Sequence, residues 1–260
     1  MIRARSTYAP FAFTARYMWP VFLAFFLCCT MIEILIDDPW FLVINKPIDL
    51  LTQAVAGVPS VQSMLIDQLR NGPSKPFVGI PHRLDRMTSG VMVVARNQRA
   101  LRRLCDQFAA RSVHKEYLAW VFGETPERGE WTDWIRKIPD VAKSELADPT
   151  VDGARIAELE FDTIDRRTLP TGQPACLVRV VLRTGRMHQI RLQFASRGHP
   201  VLGDIAYGGE IDFASQERKT REPMLALHAS RLQFSHPKTA ERIVAEAPRP
   251  PHYPWNLLLA

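Results

Sequence analysis

The sequence predicts an α+β fold built on a mixed, mostly antiparallel sheet with flanking helices. Short apolar and β-branched runs are numerous, helical segments are few, and the two do not alternate strictly, which argues against a doubly wound parallel sheet. Two runs, Ile156 to Ile164 and Cys176 to Leu182, alternate apolar with polar side chains, the pattern of a sheet with one wet face.

The elements follow in order. MIEILIDDPWFLVINKP, from Met31, predicts a strand, an acidic turn at Asp37 and Asp38, and a buried strand from Phe41 to Asn45 ended by Lys46 and Pro47. Ser60 can cap a helix running to Leu69, with Val61, Met64, Leu65 and Leu69 as its apolar stripe and Gly72-Pro73 as its stop. Val91 to Ala95 is a buried strand. Asn97 caps a second helix on which Leu101, Leu104, Cys105 and Phe108 recur at helical spacing. Arg99, Arg102 and Arg103 fall on its outer face, which is solvated and can also meet phosphate. Tyr117 to Phe122 is a strand, whereas Pro126 to Pro149 is polar, Trp-containing and without a clear period. After the alternating strands, Met187 to Arg197 is helix-like and ends at Gly198. Arg221 to Phe234 contains a further strand, and the tail from Pro248 is a loop.

The chain has 260 residues, 47% of them hydrophobic and 23% charged, as expected of a globular domain and not of a disordered one. The net charge is +6, but Arg3, Arg5 and Arg16 supply half of it within an acid-free leading segment. The rest is too mildly basic to identify a nucleic-acid binder on charge alone. The distribution says more. Arg83, Arg86, Arg96, Arg99, Arg102, Arg103, Arg111 and Lys115 cluster in the first half, while Glu124 to Asp165 is acid-rich. Cys28, Cys29, Cys105 and Cys176 form no CxxC pair, so neither a metal site nor a disulfide framework is expected, and a reducing cytoplasm is the simplest setting.

Residues 1–30 stand apart. The apolar segment Met18 to Met31 follows three arginines like a signal peptide, but no small-x-small cleavage site follows it. Pro20 interrupts it, and it falls short of the roughly 20 apolar residues of a membrane span. The expected organisation is a catalytic domain over 31–260. The extension 1–30 is taken as a mis-set start before Met31, with a membrane or signal segment as the alternative, and a membrane partner is not expected.

There is no GxxxxGK[ST], no GxGxxG after a strand and no HExxH, so nucleotide hydrolysis, dinucleotide redox chemistry and zinc proteolysis lose their usual supports. Three other stretches are unusual. In PHRLDRMTSG, Pro81 to Gly90, Asp85 is trapped between Arg83 and Arg86, either as a surface ion cluster or as a carboxylate placed for chemistry. The others are TGRMHQIRLQFAS, from Thr184, and HPVLGDIAYG, from His199.

Together these stretches resemble the RluA-type pseudouridine synthases, enzymes that isomerise uridine in RNA. The family's HRLDxxTSG is matched by His82 to Gly90, its GRxHQIR by Gly185 to Arg191, and its GHPxxGDxxYG by Gly198 to Gly208. KxYxA is matched by Lys115 to Ala119, and Leu227-His228-Ala229 and Phe234 to Pro237 match a further segment. Met187 departs from the family's usual Thr, and the family's frequent N-terminal S4 RNA-binding domain has no counterpart in this sequence.

The resemblance implies a pseudouridine synthase-like domain with a central RNA-binding cleft and no cofactor or metal. Asp85 would be the nucleophile, attacking either the sugar or the base. Tyr117 would line the uracil pocket. Arg83 would fill the gap left by the flipped-out uridine, since a base inside a stack cannot be reached. Arg191 has its own argument: beside Ile190 and Phe194 it lies at an apolar stripe and needs an anion, for which Asp85 is the obvious candidate. Arg86, Lys115, Arg186, His188 and Gln189 would contact RNA, with Arg186, His188 and Gln189 alternatively holding the motif loops; His188 and His82 serve equally well as structural hydrogen-bonders. The expected partner is ribosomal or transfer RNA and the expected state a monomer. The rival reading is a catalytically silent RNA-binding or ribosome-assembly protein on the same fold.

Overall fold

The structure is a computed structural model that describes residues 31–209, 225–251 and 254–256; the extension 1–30 and residues 221–224 of the last predicted strand region lie outside the described residues. Its strands are β1 (Glu33–Asp37), β2 (Phe41–Lys46), β3 (Ser89–Ala95), β4 (His114–Phe122), β5 (Arg128–Lys137), β6 (Ser144–Leu146), β7 (Arg155–Thr168), β8 (Pro174–Leu182), β9 (Leu227–Ser235) and β10 (Arg242–Glu246). The α-helices are α1 (Val61–Gln68), α2 (Gln98–Ala109) and α3 (Gln189–Ala195).

The strands form one sheet in the order β1-β2-β3-β9-β4-β8-β7-β5-β6, with β10 paired to β9. Among the described strands only β3 and β9 pair in parallel, so the sheet is mixed and mostly antiparallel, as predicted. The polar stretch from Pro126 to Pro149, which shows no sequence period, forms β5 and β6. Its residues alternate exposed and half-buried, and it joins the sheet by pairing with the acidic β7, so its order comes from a distant partner.

Local signals set the helix starts. Ser60 accepts from the Ser63 backbone in a capping box, and Asn97 accepts from the Ala100 backbone. The third helix begins later than its sequence pattern predicts. His188 sits in left-handed conformation (φ 55°) at its N-cap, so α3 spans Gln189–Ala195 only.

One apolar cluster packs α1 and α2 against β2 and β3, and a second packs α3 against β4, β7 and β8. Tyr117, beside a bulge in β4, contacts both. The two clusters therefore meet at the strand that carries it.

Three devices hold the loop before β3. Gly90 pairs with Ala229 in the short parallel ladder at φ +115°, where an added Cβ would lie 2.1 Å from the Ala229 carbonyl oxygen. Lys46, with no solvent exposure, donates to the carbonyls of Pro47 (2.9 Å), Arg86 (3.0 Å) and Thr88 (2.9 Å). Burial draws its pKa down to about 7, against the pull of Asp85 and Asp49. The Thr52 hydroxyl donates to the Leu84 carbonyl at 2.8 Å and accepts from the Leu84 amide at 3.3 Å.

Gly90→Ala is expected to cost about 3 kcal/mol or more in denaturant unfolding, since backbone strain of roughly 1–2 kcal/mol adds to the overlap. Gly57→Ala, at φ +75° with nothing near its added Cβ, isolates the strain alone and should cost only about 1 kcal/mol. Equal losses would show that the close approach is unimportant. Lys46→Met keeps the volume but removes the ammonium from three carbonyls, of which that of Arg86 still accepts from the Leu50 amide at 3.2 Å, and should lower stability by about 3 kcal/mol; a loss below about 1 kcal/mol would mean that the loop is held by other contacts.

Candidate active site

A cavity at the junction of the two apolar clusters is lined by Arg83, Leu84, Asp85, Thr88, Tyr117, Leu182 and the 185–191 segment, with Leu227 behind. Three elements meet here: the loop before β3, the middle of β4, and the loop leading into α3.

Asp85 sits in a turn closed by the Thr88 amide donating to its carbonyl at 3.1 Å. Its side-chain oxygen lies 3.5 Å from Arg191 Nη1 and 3.6 Å from His188 Nε2. Arg191 and Asp85 are thus brought together as predicted, but Asp85 is not the main partner. Arg191 makes a bidentate pair with Asp204, Nε to Oδ2 at 2.7 Å and Nη2 to Oδ1 at 2.8 Å. The Asp204 side chain is 1% exposed and that of Arg191 12%. Burial works against the guanidinium charge, yet the Asp204 hydrogen bonds and the charges of Asp204 and Asp85 leave its pKa above the ordinary value. The apolar stripe did require an anion; it is satisfied first by Asp204, which leaves one guanidinium edge for Asp85.

His188 forgoes helix capping. Its Nδ1 lies 3.0 Å from the Tyr207 hydroxyl, and that hydroxyl accepts from the Ser144 amide at 2.7 Å. Tyr207 also presents its ring to Arg191, whose guanidinium carbon lies 5.1 Å from the ring centroid. Burial, with Arg191 and Arg83 nearby, takes His188 below the usual imidazole range despite Asp85 and Asp204. The ring is therefore neutral at pH 7. Tyr117 lines the cavity, and burial together with the charge of Asp85 pushes its phenol above the ordinary tyrosine range, so it stays protonated.

The other predicted residues divide. Arg83 stands exposed at the cavity mouth, with no hydrogen bond or ion pair among the described residues. Arg186 lines the cavity while its Nε donates to the Ile156 carbonyl at 2.9 Å. Gln189 is buried and its amide is committed to the loop. It accepts from the Thr184 hydroxyl (2.8 Å) and the Arg186 amide (3.0 Å) and donates to the Glu158 carbonyl (3.0 Å), so it positions the loop and is not an open RNA donor. Lys115 lies behind Gly185, beside the cavity. Arg86 does not line the cavity; it pairs with Asp49 at 2.8 Å. His82 stacks on Phe108 at 4.4 Å, accepts from the Val93 amide, and is held neutral by burial with a pKa near 3, so its role is structural.

Sequence reasoning left Asp204, Tyr207 and Lys46 without roles. Asp204 and Tyr207 stand in the quoted HPVLGDIAYG stretch, and the signal was the arginine at an apolar stripe, which needs more than one shared carboxylate. Lys46 looked like a strand terminator.

The RNA pseudouridylate synthase family matches residues 40–196. The chain is 34% identical over 236 residues to ribosomal large subunit pseudouridine synthase D of Pseudomonas aeruginosa, covering 88% of this chain and 71% of that protein. It is 35% identical over 223 residues to ribosomal large subunit pseudouridine synthase C of Escherichia coli, covering 83% and 66%. It thus spans about two thirds of the length of such relatives. Among solved structures, human RNA pseudouridylate synthase domain containing 1 superposes with a TM-score of 0.67 at 25% identity, covering 85% of this chain and 84% of that one. The matched stretch contains both the Asp85 loop and the Arg191 helix, and with the shared fold it assigns this chain to the RNA pseudouridylate synthase family of RNA-uridine isomerases.

Proposed function

We propose that this chain converts a uridine of large-subunit ribosomal RNA to pseudouridine, with Asp85 as nucleophile. The observation that carries the reading is the Asp85 carboxylate set 3.5 Å from a buried arginine that a second carboxylate already orients, in a cavity lined by Tyr117. The printed names of the relatives support ribosomal RNA over transfer RNA as substrate, and such a substrate puts the work in the cytoplasm.

The reaction breaks the N1–C1′ bond, turns the uracil and joins C5 to C1′; Asp85 is released, C5 loses its proton to solvent or a base and N1 takes one up, so the product is an isomer of the substrate. Asp85 opens it by attack on the sugar or the base. Arg191, held by Asp204, keeps the carboxylate aimed. Protonated Tyr117 forms a wall for the uracil ring and holds a proton at its hydroxyl. Arg83, unpaired at the mouth, fills the stack that the flipped uridine leaves. Arg186 and Lys115 meet the RNA backbone beside the cavity, Arg86 does so from the outer surface, and neutral His188 and Gln189 position the loop.

A pseudouridine map of total RNA from cells with the gene, without it, and with only Asp85→Asn tests this reading. One or a few large-subunit ribosomal sites should vanish in both defective strains, with in vitro turnover falling by roughly a thousandfold or more. Sites lost only from transfer RNA would change the substrate. A site retained by Asp85→Asn would remove the nucleophile assignment, and no change at all would favour the silent RNA-binding reading. Asp204→Asn frees Arg191 from its bidentate clamp without touching Asp85. It should lower kcat roughly 10- to 100-fold with a smaller change in KM, because misplacement near 1 Å is enough for such a loss; unchanged kcat would show that Arg191 needs no second carboxylate.

A further inference from the structure

A groove leaves the cavity at Leu182 and runs along Arg111, Ser112, His114 and Arg183. Where groove and cavity meet, three cations gather: Arg111, Lys115 and Arg186. Lys115 is mostly buried, and an added Cβ on cavity-lining Gly185 would lie 3.7 Å from its Nζ. It makes no hydrogen bond or ion pair among the described residues. Its charged neighbours are Arg111 and Arg186, which with burial lower its pKa. Arg186 is lowered in turn by burial, Arg111 and Arg155. No carboxylate offsets either of those shifts. Glu158 and Glu160 line the groove, where Glu158 pairs with Arg111 at 3.8 Å. Arg183, farther along, is already paired with Glu160 at 2.9 Å. Arg111 adopts left-handed backbone (φ 57°) just past the end of α2, where glycine is the favoured residue. Mutually repelling, partly desolvated cations are unfavourable until an anion joins them.

We infer that Arg111, Lys115 and Arg186 form a seat for one backbone phosphate of the RNA, immediately next to the uridine held over Asp85. The seat rests on the pseudouridine synthase reading and adds a function to it. A phosphate gripped beside the cavity fixes the backbone on one side of the target, so extrusion of the base becomes a rotation about a held point. A phosphodiester matches the site better than a lone chloride because several donors approach it from different elements, the turn after α2, β4 and the loop before α3.

Large-subunit ribosomal RNA from cells lacking the gene, ethylated at about one phosphate per chain, tests the seat. Enzyme-bound and free fractions are compared for the wild type, for Lys115→Met and for Arg111→Asn. Asparagine tolerates the left-handed backbone, so the second variant stays informative if the first fails to fold. With wild type, ethylation of one phosphate within a nucleotide or two of the modified uridine should block binding. Both folded variants should lose that interference alone and keep the others, with KM raised about tenfold and the salt slope of binding reduced by about 0.7 to 0.9. An interference map with no mark beside the target in wild type, or a mark that persists in the variants, overturns the seat. Pseudouridine formation is read separately on unethylated RNA, and its absence with wild type overturns the function on which the seat rests.

Discussion

The constraint on which the site depends is a buried positive charge shared between two carboxylates. Arg191 projects from a short helix packed on apolar side chains, and solvent reaches only a small part of it. An arginine there is tolerable only when an anion is fixed beside it. Asp204 meets that need with two short hydrogen bonds and is itself almost completely buried. The remaining guanidinium edge faces Asp85 at 3.5 Å, so the stable pair also orients the cavity carboxylate. One side chain ties helix α3 and the turn at Asp204 to the distant loop before β3.

The surrounding fold keeps that tie in register. Lys46 and Thr52 grip the backbone on either side of Asp85, and Gly90 admits the Ala229 carbonyl at a distance no side chain would permit. On the opposite wall, Gln189 holds the loop that carries Arg186 and His188. Tyr117 stands on β4 where the two apolar clusters meet, so the cavity lies at the junction of the two packed halves of the sheet and not on a mobile rim. The groups that face the cavity also divide by charge. His188 is neutral and Tyr117 protonated at pH 7, while Arg83 and Arg186 bring positive charge to its mouth and edge. That division suits a reaction with an anionic polymer outside and an uncharged base within.

Strand and helix periods, the caps Ser60 and Asn97, and the absence of strict alternation were enough to predict the α+β class and most elements, because those signals lie within a few residues of each other. The residues of the cavity, Asp85, Tyr117, Arg191, Arg83, Arg186 and His188, were likewise legible from short motifs. Local reading failed where the partner was remote. The strands β5 and β6 have no strong period of their own and owe their order to pairing with β7. Helix α3 starts late because His188 turns its ring toward Asp85 and Tyr207. Gln189 is indistinguishable in sequence from an open donor until its amide is seen bonded on both sides, and the place of Arg86 outside the cavity, beside Asp49, is likewise not written in its motif.

The sequence by itself determined the fold class, the family motifs and the need for an anion near Arg191, since composition, period and an arginine at an apolar stripe are properties of neighbouring residues. Only the tertiary structure decided which anion answers that need, that Lys46 is a buried clamp and not a strand end, and that Lys115 has cations and no acid around it. Those facts depend on distances between side chains from 13 to about 70 residues apart, Arg191 to Asp204, Lys46 to Thr88 and Lys115 to Arg186, which side-chain chemistry constrains and chain order does not record.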